Sequence, residues 1–143
     1  MSADNVSLAT LAVGDELSDV AYPTSVTQIF RYSAATWNTH RIHFDQSYAR
    51  AEGYPDVLVQ SHLHGAFLAN FCTRLAGDTG RLRSLSLSVR RFAVAGETLI
   101  VRGVVTSREE RERGVVVGIE LHERRESDGQ ECVNGTASIE WSS

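Results

Sequence analysis

Ten residues in the first half of the chain, TWNTHRIHFD from Thr36 to Asp45, concentrate side chains that can exchange protons. His40 and His43 are three residues apart, so a helical turn would place both imidazoles on one face, with Asn38 nearby. A neutral imidazole beside a carboxylate is poised for proton transfer around neutral pH. The segment therefore predicts an acid/base site, and the alternative is a surface turn whose histidines bond local carbonyls.

A metal site competes with this interpretation, because His62 and His64 supply two further imidazoles. His62 and His64 are two residues apart and so point to different sides of a helix, and no third ligand stands at a familiar spacing such as HExxH. We therefore expect no metal and no organic cofactor.

A second group of residues begins the most apolar helix predicted for the chain, at Gln60, Ser61 and His62. The first N–H groups of a helix have no partner within it, and the helix dipole makes this end positive. Such an end can polarise a carbonyl or bind an oxyanion. The alternative is that Ser61 only caps the helix, as serine often does.

A third group is the pair Arg90 and Arg91, which ends a predicted strand. Guanidinium groups beside a cleft would suit the phosphates of a coenzyme A carrier. Solvated surface is the alternative for both arginines, and it is the usual state of such residues on a strand.

Composition narrows the function classes. The 143 residues are enough for one domain with its own core, which we expect to span residues 1–143. All 14 basic residues are arginines, so chemistry that needs a lysine is excluded. The net charge of −4 with scattered arginines argues against a nucleic-acid partner. Two distant cysteines, no basic leader and no long apolar stretch predict a cytoplasmic protein without a membrane span.

The helices that must position these residues can be placed from caps and apolar spacing. Ser25 with Gln28 predicts the start of a helix whose apolar stripe is Val26, Ile29, Phe30 and Trp37. Asp45 predicts the cap of a second, short helix that Gly53 ends. A third helix is expected from a cap at Ser61 to Gly77, with Leu63, Ala66, Phe67, Phe71 and Leu75 on one face.

The second half of the chain changes to the alternation of strands. Leu85, Leu87 and Val89 alternate with polar residues, and three further apolar segments follow. The charged stretch 107–114 is expected to be a loop, and Asp128–Gly129 a turn. The pattern predicts an α+β fold in which a curved antiparallel sheet wraps a long apolar helix.

Residues 30–71, the strand that follows, and residues 92–105 together resemble the MaoC-like branch of hot-dog-fold dehydratases and (R)-specific enoyl-CoA hydratases. The sequence NTHRIHFD and the turn EGYPD are most similar to the subgroup of mesaconyl-CoA hydratases and fungal-type hydroxyacyl-thioester dehydratases. The resemblance covers nearly the whole chain after about residue 12. It implies a single hot-dog domain that pairs its sheet with another to form a dimer.

The resemblance also implies roles for individual residues, with two departures from the wider family. The family histidine falls on His43 and its catalytic aspartate on Asn38, which cannot transfer a proton at neutral pH. His40 would then share the acid/base work, and Asn38 would orient water or a hydroxyl. The backbone N–H that binds the thioester oxygen would come from Ser61, where the family has glycine.

These observations predict a hydratase or dehydratase acting on an enoyl or 3-hydroxyacyl thioester, carried on coenzyme A or an acyl-carrier protein. Trp37 is expected along the acyl tunnel with Phe67 and Phe71, and Gln60 and His62 are expected to contact substrate. Two alternatives remain open. One is a catalytically silent thioester-binding subunit, or the partner of a heteromeric hydratase, and the other is an acyl-CoA thioesterase.

Overall fold

The fold is known from a computed structural model that describes residues 10–142. Residues 1–9 and 143, which belong to the expected domain of residues 1–143, lie outside the described part. The described chain forms one antiparallel sheet of five strands in the order β1-β3-β4-β5-β2. The strands are β1 (Val20–Pro23), β2 (Gly80–Val89), β3 (Thr98–Arg111), β4 (Gly114–Arg125) and β5 (Glu131–Trp141).

Three helices lie between β1 and β2. They are α1 (Val26–Thr36), α2 (Gln46–Ala51) and α3 (Ser61–Ala76), and a single 3₁₀ turn (Arg41–His43) separates α1 from α2. α3 packs against β2, β3 and β5. The predicted architecture, a sheet wrapped around one long helix, is therefore confirmed.

Alternation along the strands builds the core under α3. Every second residue of β4, and of β3 as far as Val105, is buried, including Leu99, Val101, Val117 and Leu121, and these pack against Phe67 and other apolar residues of α3. Register shifts interrupt the β2–β5, β3–β4 and β4–β5 ladders. Such bulges bend strands, which lets the sheet curve around the helix.

Two of the predicted helix caps are confirmed. The Ser25 hydroxyl accepts a hydrogen bond from the Gln28 N–H at 3.1 Å, and Asp45 accepts one from the Tyr48 N–H at 3.0 Å. Gly53 follows α2 with φ 94°, a conformation that favours glycine. These contacts join residues three apart, so the local sequence was sufficient to predict them.

The expected apolar stripe of α1 is wrong in part. Ile29 is fully buried, and Ser33 rather than an apolar residue accompanies it on the inner face. Val26 and Phe30 are exposed, and Trp37 is 84% exposed. The helix touches the rest of the described chain along a narrow line, so only the positions on that line are buried.

The predicted N-cap of α3 is also wrong. Gln60 is the N-cap, Ser61 is the first helical residue, and no side chain caps the helix. Leu63, Phe67 and Phe71 are buried as expected, whereas Ala66 is exposed. The buried face includes His64, which the apolar stripe did not contain.

One strand was not predicted from the sequence, and the end of another was predicted wrongly. β1 has four residues, too few for an alternation to be recognised, and its register with β3 identifies it. Residues 107–111, expected in a loop, continue β3, because the β3–β4 ladder extends to the pair Arg111 and Gly114. Ion pairs between alternate residues, Arg108 with Glu110 and Arg111 with Glu109, accompany this exposed extension.

Within residues 10–142, no helix is long and apolar enough to cross a membrane.

Candidate active site

The two histidines of the opening motif lie together at the turn between α1 and α2. His40 is the N-cap of the 3₁₀ turn and His43 is its last residue. Their ring centroids are 5.9 Å apart, with the ring planes inclined at 61°. The expectation that one turn brings both imidazoles together is therefore confirmed.

Backbone contacts fix which nitrogen of each neutral imidazole carries the proton. His43 Nδ1 lies 2.9 Å from the Leu58 carbonyl oxygen, which can only accept, so Nδ1 donates and Nε2 is left as a base. His40 Nδ1 instead accepts from the Ile42 N–H at 3.3 Å, so Nε2 carries its proton. One histidine presents a proton acceptor and the other a proton donor.

Burial also changes the pKa of His43. Desolvation of the half-buried ring lowers the pKa of His43 below its ordinary value of 6.5. The hydrogen bond to Leu58 opposes this shift, and the nearby His40 adds to it. His43 is therefore neutral, and able to accept a proton, at neutral pH.

Asn38 and Asp45 hold the turn from its two ends. The Asn38 side-chain oxygen accepts from the His40 N–H at 3.2 Å, and the Asn38 N–H donates to Ser33 O. Asp45 caps α2 and accepts from Arg41 at 2.6 Å. The bond from the Tyr48 N–H, followed by that from Arg41, lowers the pKa of Asp45, which is ionised at neutral pH. Both groups already serve the structure of the turn.

The turn is connected to the N-terminus of α3 through residues 57–60. The Leu58 N–H donates to Ile42 O, and Leu58 O accepts from His43. On its other side this segment bonds residues 93–95, since the Val59 N–H donates to Ala93 O. Leu58 is three residues before Ser61, so a short segment that is hydrogen-bonded on both sides lies between the histidine turn and the helix.

The N-terminus of α3 offers unused donors. Leu63 and His64 donate their N–H groups to Gln60 O, but the described residues supply no acceptor for the N–H groups of Ser61 and His62. Gln60 itself is 1% exposed, and its amide nitrogen donates to α1. The helix end can therefore bind an oxygen with partial negative charge.

Other expected site residues lie on the surface around this region. His62 is exposed on the first turn of α3, and Trp37 is the C-cap of α1 in a left-handed conformation, with φ 54°. Arg90 and Arg91 are exposed just after β2, three and two residues before Ala93. They lie on the chain segment that leads into residues 93–95, which bond residues 57–60, and within residues 10–142 neither arginine has a hydrogen bond or ion pair to the histidine turn.

One buried pair was missed by the sequence analysis. His64 Nδ1 donates to Glu123 Oε1 at 2.5 Å, and the side chains are 1% and 0% exposed. The alternation of β4 could have located Glu123, because it continues the inward series Val117, Ile119 and Leu121.

Among residues 10–142, no group of three or more His, Cys, Asp or Glu side chains is arranged to hold a metal ion.

Comparison with solved structures identifies the fold. The chain superposes on the ChsH1-ChsH2 complex from Mycobacterium tuberculosis with a TM-score of 0.81 at 20% identity, covering 92% of this chain and 99% of that one. It superposes on the R-hydratase PhaJ1 from Pseudomonas aeruginosa with a TM-score of 0.81 at 21% identity, covering 94% and 84%. At such identities the likeness shows the fold alone, which is the expected hot dog.

Sequence comparison identifies the family. A stretch of 49 residues is 47% identical to the mesaconyl-C(4)-CoA hydratase of Chloroflexus aurantiacus, and it spans 34% of this chain but only 16% of that protein. Residues 11–94, more than half of the chain, match the family described as hydroxyacyl-thioester dehydratase type 2. The matched range contains the histidine turn and the N-terminus of α3, and the chain belongs to this family of hydroxyacyl-thioester dehydratases.

Proposed function

We propose that this protein adds water to an enoyl thioester, or removes it from the corresponding 3-hydroxyacyl thioester. The observation that carries the proposal is the hydrogen bond from His43 Nδ1 to Leu58 O. It leaves Nε2 as a base, and Leu58, which accepts this bond, lies three residues before Ser61 at a helix end where two N–H donors lack an acceptor among the described residues. Membership of the dehydratase family supports the same reaction class.

In the hydration direction, His43 Nε2 removes a proton from water while the water oxygen bonds to the β-carbon of the enoyl group. The electron pair of the carbon–carbon double bond moves towards the thioester, whose oxygen gains negative charge. The free N–H of Ser61 stabilises that oxygen. His40 donates its Nε2 proton to the α-carbon in step with transfer of the His43 proton to His40 through solvent, so both rings end in their starting neutral forms.

Asn38 holds His40 in this scheme rather than transferring a proton, because a carboxamide neither gains nor loses one at neutral pH. His62 and Trp37 flank the bound acyl thioester from the surface. Arg90 and Arg91 bind the phosphates of the coenzyme A or acyl-carrier prosthetic group. No resident cofactor is needed for these steps.

The proposal includes a dimer in the cytoplasm. The sheet order leaves one edge of β2, ten residues long, without a partner among the described residues. Such an edge pairs readily with another strand. A second copy of this chain is the proposed partner, and a different hot-dog subunit is the alternative.

A catalytically silent or partner subunit is the second candidate function. The asparagine at position 38, where the wider family has aspartate, favours it. The solved ChsH1-ChsH2 complex shows that two different chains can assemble in this fold.

The deciding experiment follows the loss of enoyl-thioester absorbance with crotonyl-CoA and with longer and branched enoyl-CoAs. His43→Ala should lower kcat/KM on the order of 10²–10⁴-fold, and His40→Ala by a smaller factor. The matched control is His122→Ala, since His122 pairs with Glu131 on a solvent-accessible part of the sheet. Unaltered turnover in His43→Ala would refute the mechanism. Release of free thiol would identify a thioesterase, and thioester binding without turnover a silent subunit.

A further inference from the structure

Buried polar side chains are concentrated at one place in the core. Among residues 10–142, five polar residues are buried, and their set is Thr24, Ser33, Gln60, His64 and Glu123. All except Thr24 contact, or belong to, the first turn of α3 and the residue that precedes it. Burying a polar group costs free energy unless it is hydrogen-bonded, so a cluster of buried polar groups at one helix end indicates a specific role.

On one side, Gln60 ties this helix end to α1. Its amide nitrogen donates to Ile29 O and to Ser33 Oγ, both at 2.8 Å. The backbone of Ser33 then accepts from the Asn38 N–H at 2.9 Å, and Asn38 accepts from His40. Gln60 is thereby linked, through two residues, to the histidine turn.

On the other side, His64 ties the same helix end to β4 through Glu123. The remaining polar atoms of the pair, His64 Nε2 and Glu123 Oε2, have no hydrogen-bond partner among the described residues. A buried pair with unsatisfied atoms is a poor source of stability, because apolar side chains of similar volume often serve equally well. Its directional bond can instead fix the position of the helix end.

We propose that Gln60 and the His64–Glu123 pair are positioning residues that together hold the first turn of α3 between α1 and β4. They set where the free N–H groups of Ser61 and His62 stand relative to His43. This inference rests on the proposed hydratase function. An error of about 1 Å in such a geometry can cost on the order of 10²-fold in rate.

The decisive variant replaces the pair as a whole, His64→Leu with Glu123→Met, since removing one partner alone leaves an unpaired buried group. Its urea unfolding midpoint should match that of the wild type, while kcat falls on the order of 10²-fold with KM nearly unchanged. The conservative replacement, His64→Gln with Glu123→Gln, keeps a hydrogen bond between α3 and β4 and should restore most of kcat.

Gln60→Met tests the other side of the turn, and Thr24→Val is its matched control. Thr24 is also buried and donates to the Glu97 carbonyl, but it lies outside the first turn of α3. Gln60→Met should lower kcat at a stability equal to that of Thr24→Val, whose kcat should be unchanged. Equal kcat in Gln60→Met and Thr24→Val, or full kcat in the Leu/Met double variant, would overturn the proposal.

Hydrogen exchange separates this proposal from the function on which it rests. The N–H groups of Leu63 and His64, bonded to Gln60 O, should exchange faster in the Leu/Met and Gln60→Met variants, with amides of β3 and β4 unchanged. If the wild type has no hydratase activity but the two variants show these exchange changes, the proposed reaction is refuted and the positioning role is retained. Unchanged exchange in both variants would remove the positioning role itself.

Discussion

At the scale of single residues, the backbone decides what each histidine of the turn can do. His43 donates to a carbonyl and His40 accepts from an N–H, so two chemically identical side chains present opposite groups at Nε2. Neither contact involves another side chain. The base and the acid of the proposed reaction are thus assigned by the path of the main chain.

The first prediction concerns pH. Burial lowers the pKa of His43 below 6.5, and the proposed base works in its neutral form. The kcat/KM for hydration should therefore rise with pH, with a midpoint below 6.5, and reach its plateau by neutral pH. Between the lowered pKa and 6.5 the unfolded state binds more protons, so the free energy of unfolding also falls as pH drops through this window.

A pH–rate profile combined with an NMR titration of the His43 ring would check this prediction. The titration of the ring and the limb of the profile should share one midpoint. A rate limb centred above 6.5 would contradict the assignment of His43 as the base.

The second prediction concerns Asn38. In Asn38→Asp, the carboxylate keeps an acceptor for the His40 N–H and restores the acidic group of the wider family. A nearby negative charge favours imidazolium, so the pH midpoint should rise by about 1 unit or more. Asn38→Ala loses the acceptor and should lower kcat without raising the midpoint. An Asp variant whose profile matches the wild type would show that position 38 lies out of reach of the reacting histidines.

At the scale of elements, the site is assembled where three short segments meet. α1 delivers the turn, residues 57–60 bond it, and residues 93–95 hold that segment from the other side. Trp37, with φ 54°, reverses the chain at the end of α1 and directs Asn38 towards Ser33. The geometry of the proposed site therefore depends on α1 remaining helical to its end.

The third prediction tests the start of α1. Ser25→Ala removes the hydroxyl that accepts from the Gln28 N–H and should lower the free energy of unfolding by about 1 kcal/mol. Thr27→Ala, at an exposed position of the same helix, is the control and should change it far less. Urea denaturation of both variants measures the difference, and equal values would show that the cap contributes nothing.

At the scale of the whole molecule, the sheet closes around α3 on one face and leaves β2 as a long edge. The outer face of β2 carries Ser84, Ser86 and Ser88, opposite the polar residues Ser138, Thr136 and Asn134 of β5. Small polar side chains allow a neighbouring strand to approach this edge. A continuous sheet across two copies is the arrangement that this edge favours.

The fourth prediction tests that arrangement. The wild type should sediment at twice the chain mass of 15.7 kDa. Lysines at Ser84, Ser86 and Ser88 would bring like charges together across the shared edge and should yield a monomer. Lysines at the exposed positions Ala34, Ala35 and Ala51 add the same charge elsewhere and should leave the dimer intact. A monomeric wild type with full activity would contradict the proposed dimer.

The features that could be predicted from the sequence depend on residues close together in the chain. The sequence located the caps at Ser25 and Asp45, the pairing of His40 with His43 on one turn, and the family, because each rests on a short motif. It could not determine which face of α1 is buried. That depends on the elements that α1 meets, and the exposed Phe30 and Trp37 show that apolar character was a poor guide there.

The contacts between distant segments could be identified only from the folded chain. Glu123 reaches His64 across 59 positions, Gln60 reaches Ile29 across 31, and Leu58 fixes His43 across 15. The physical reason is that a hydrogen bond requires position and direction, and chain folding sets both for residues far apart in sequence. The residue types that could do chemistry can therefore be identified from the sequence. Which nitrogen of His43 carries the proton, and where the free N–H groups of α3 lie, can be identified only from the folded chain.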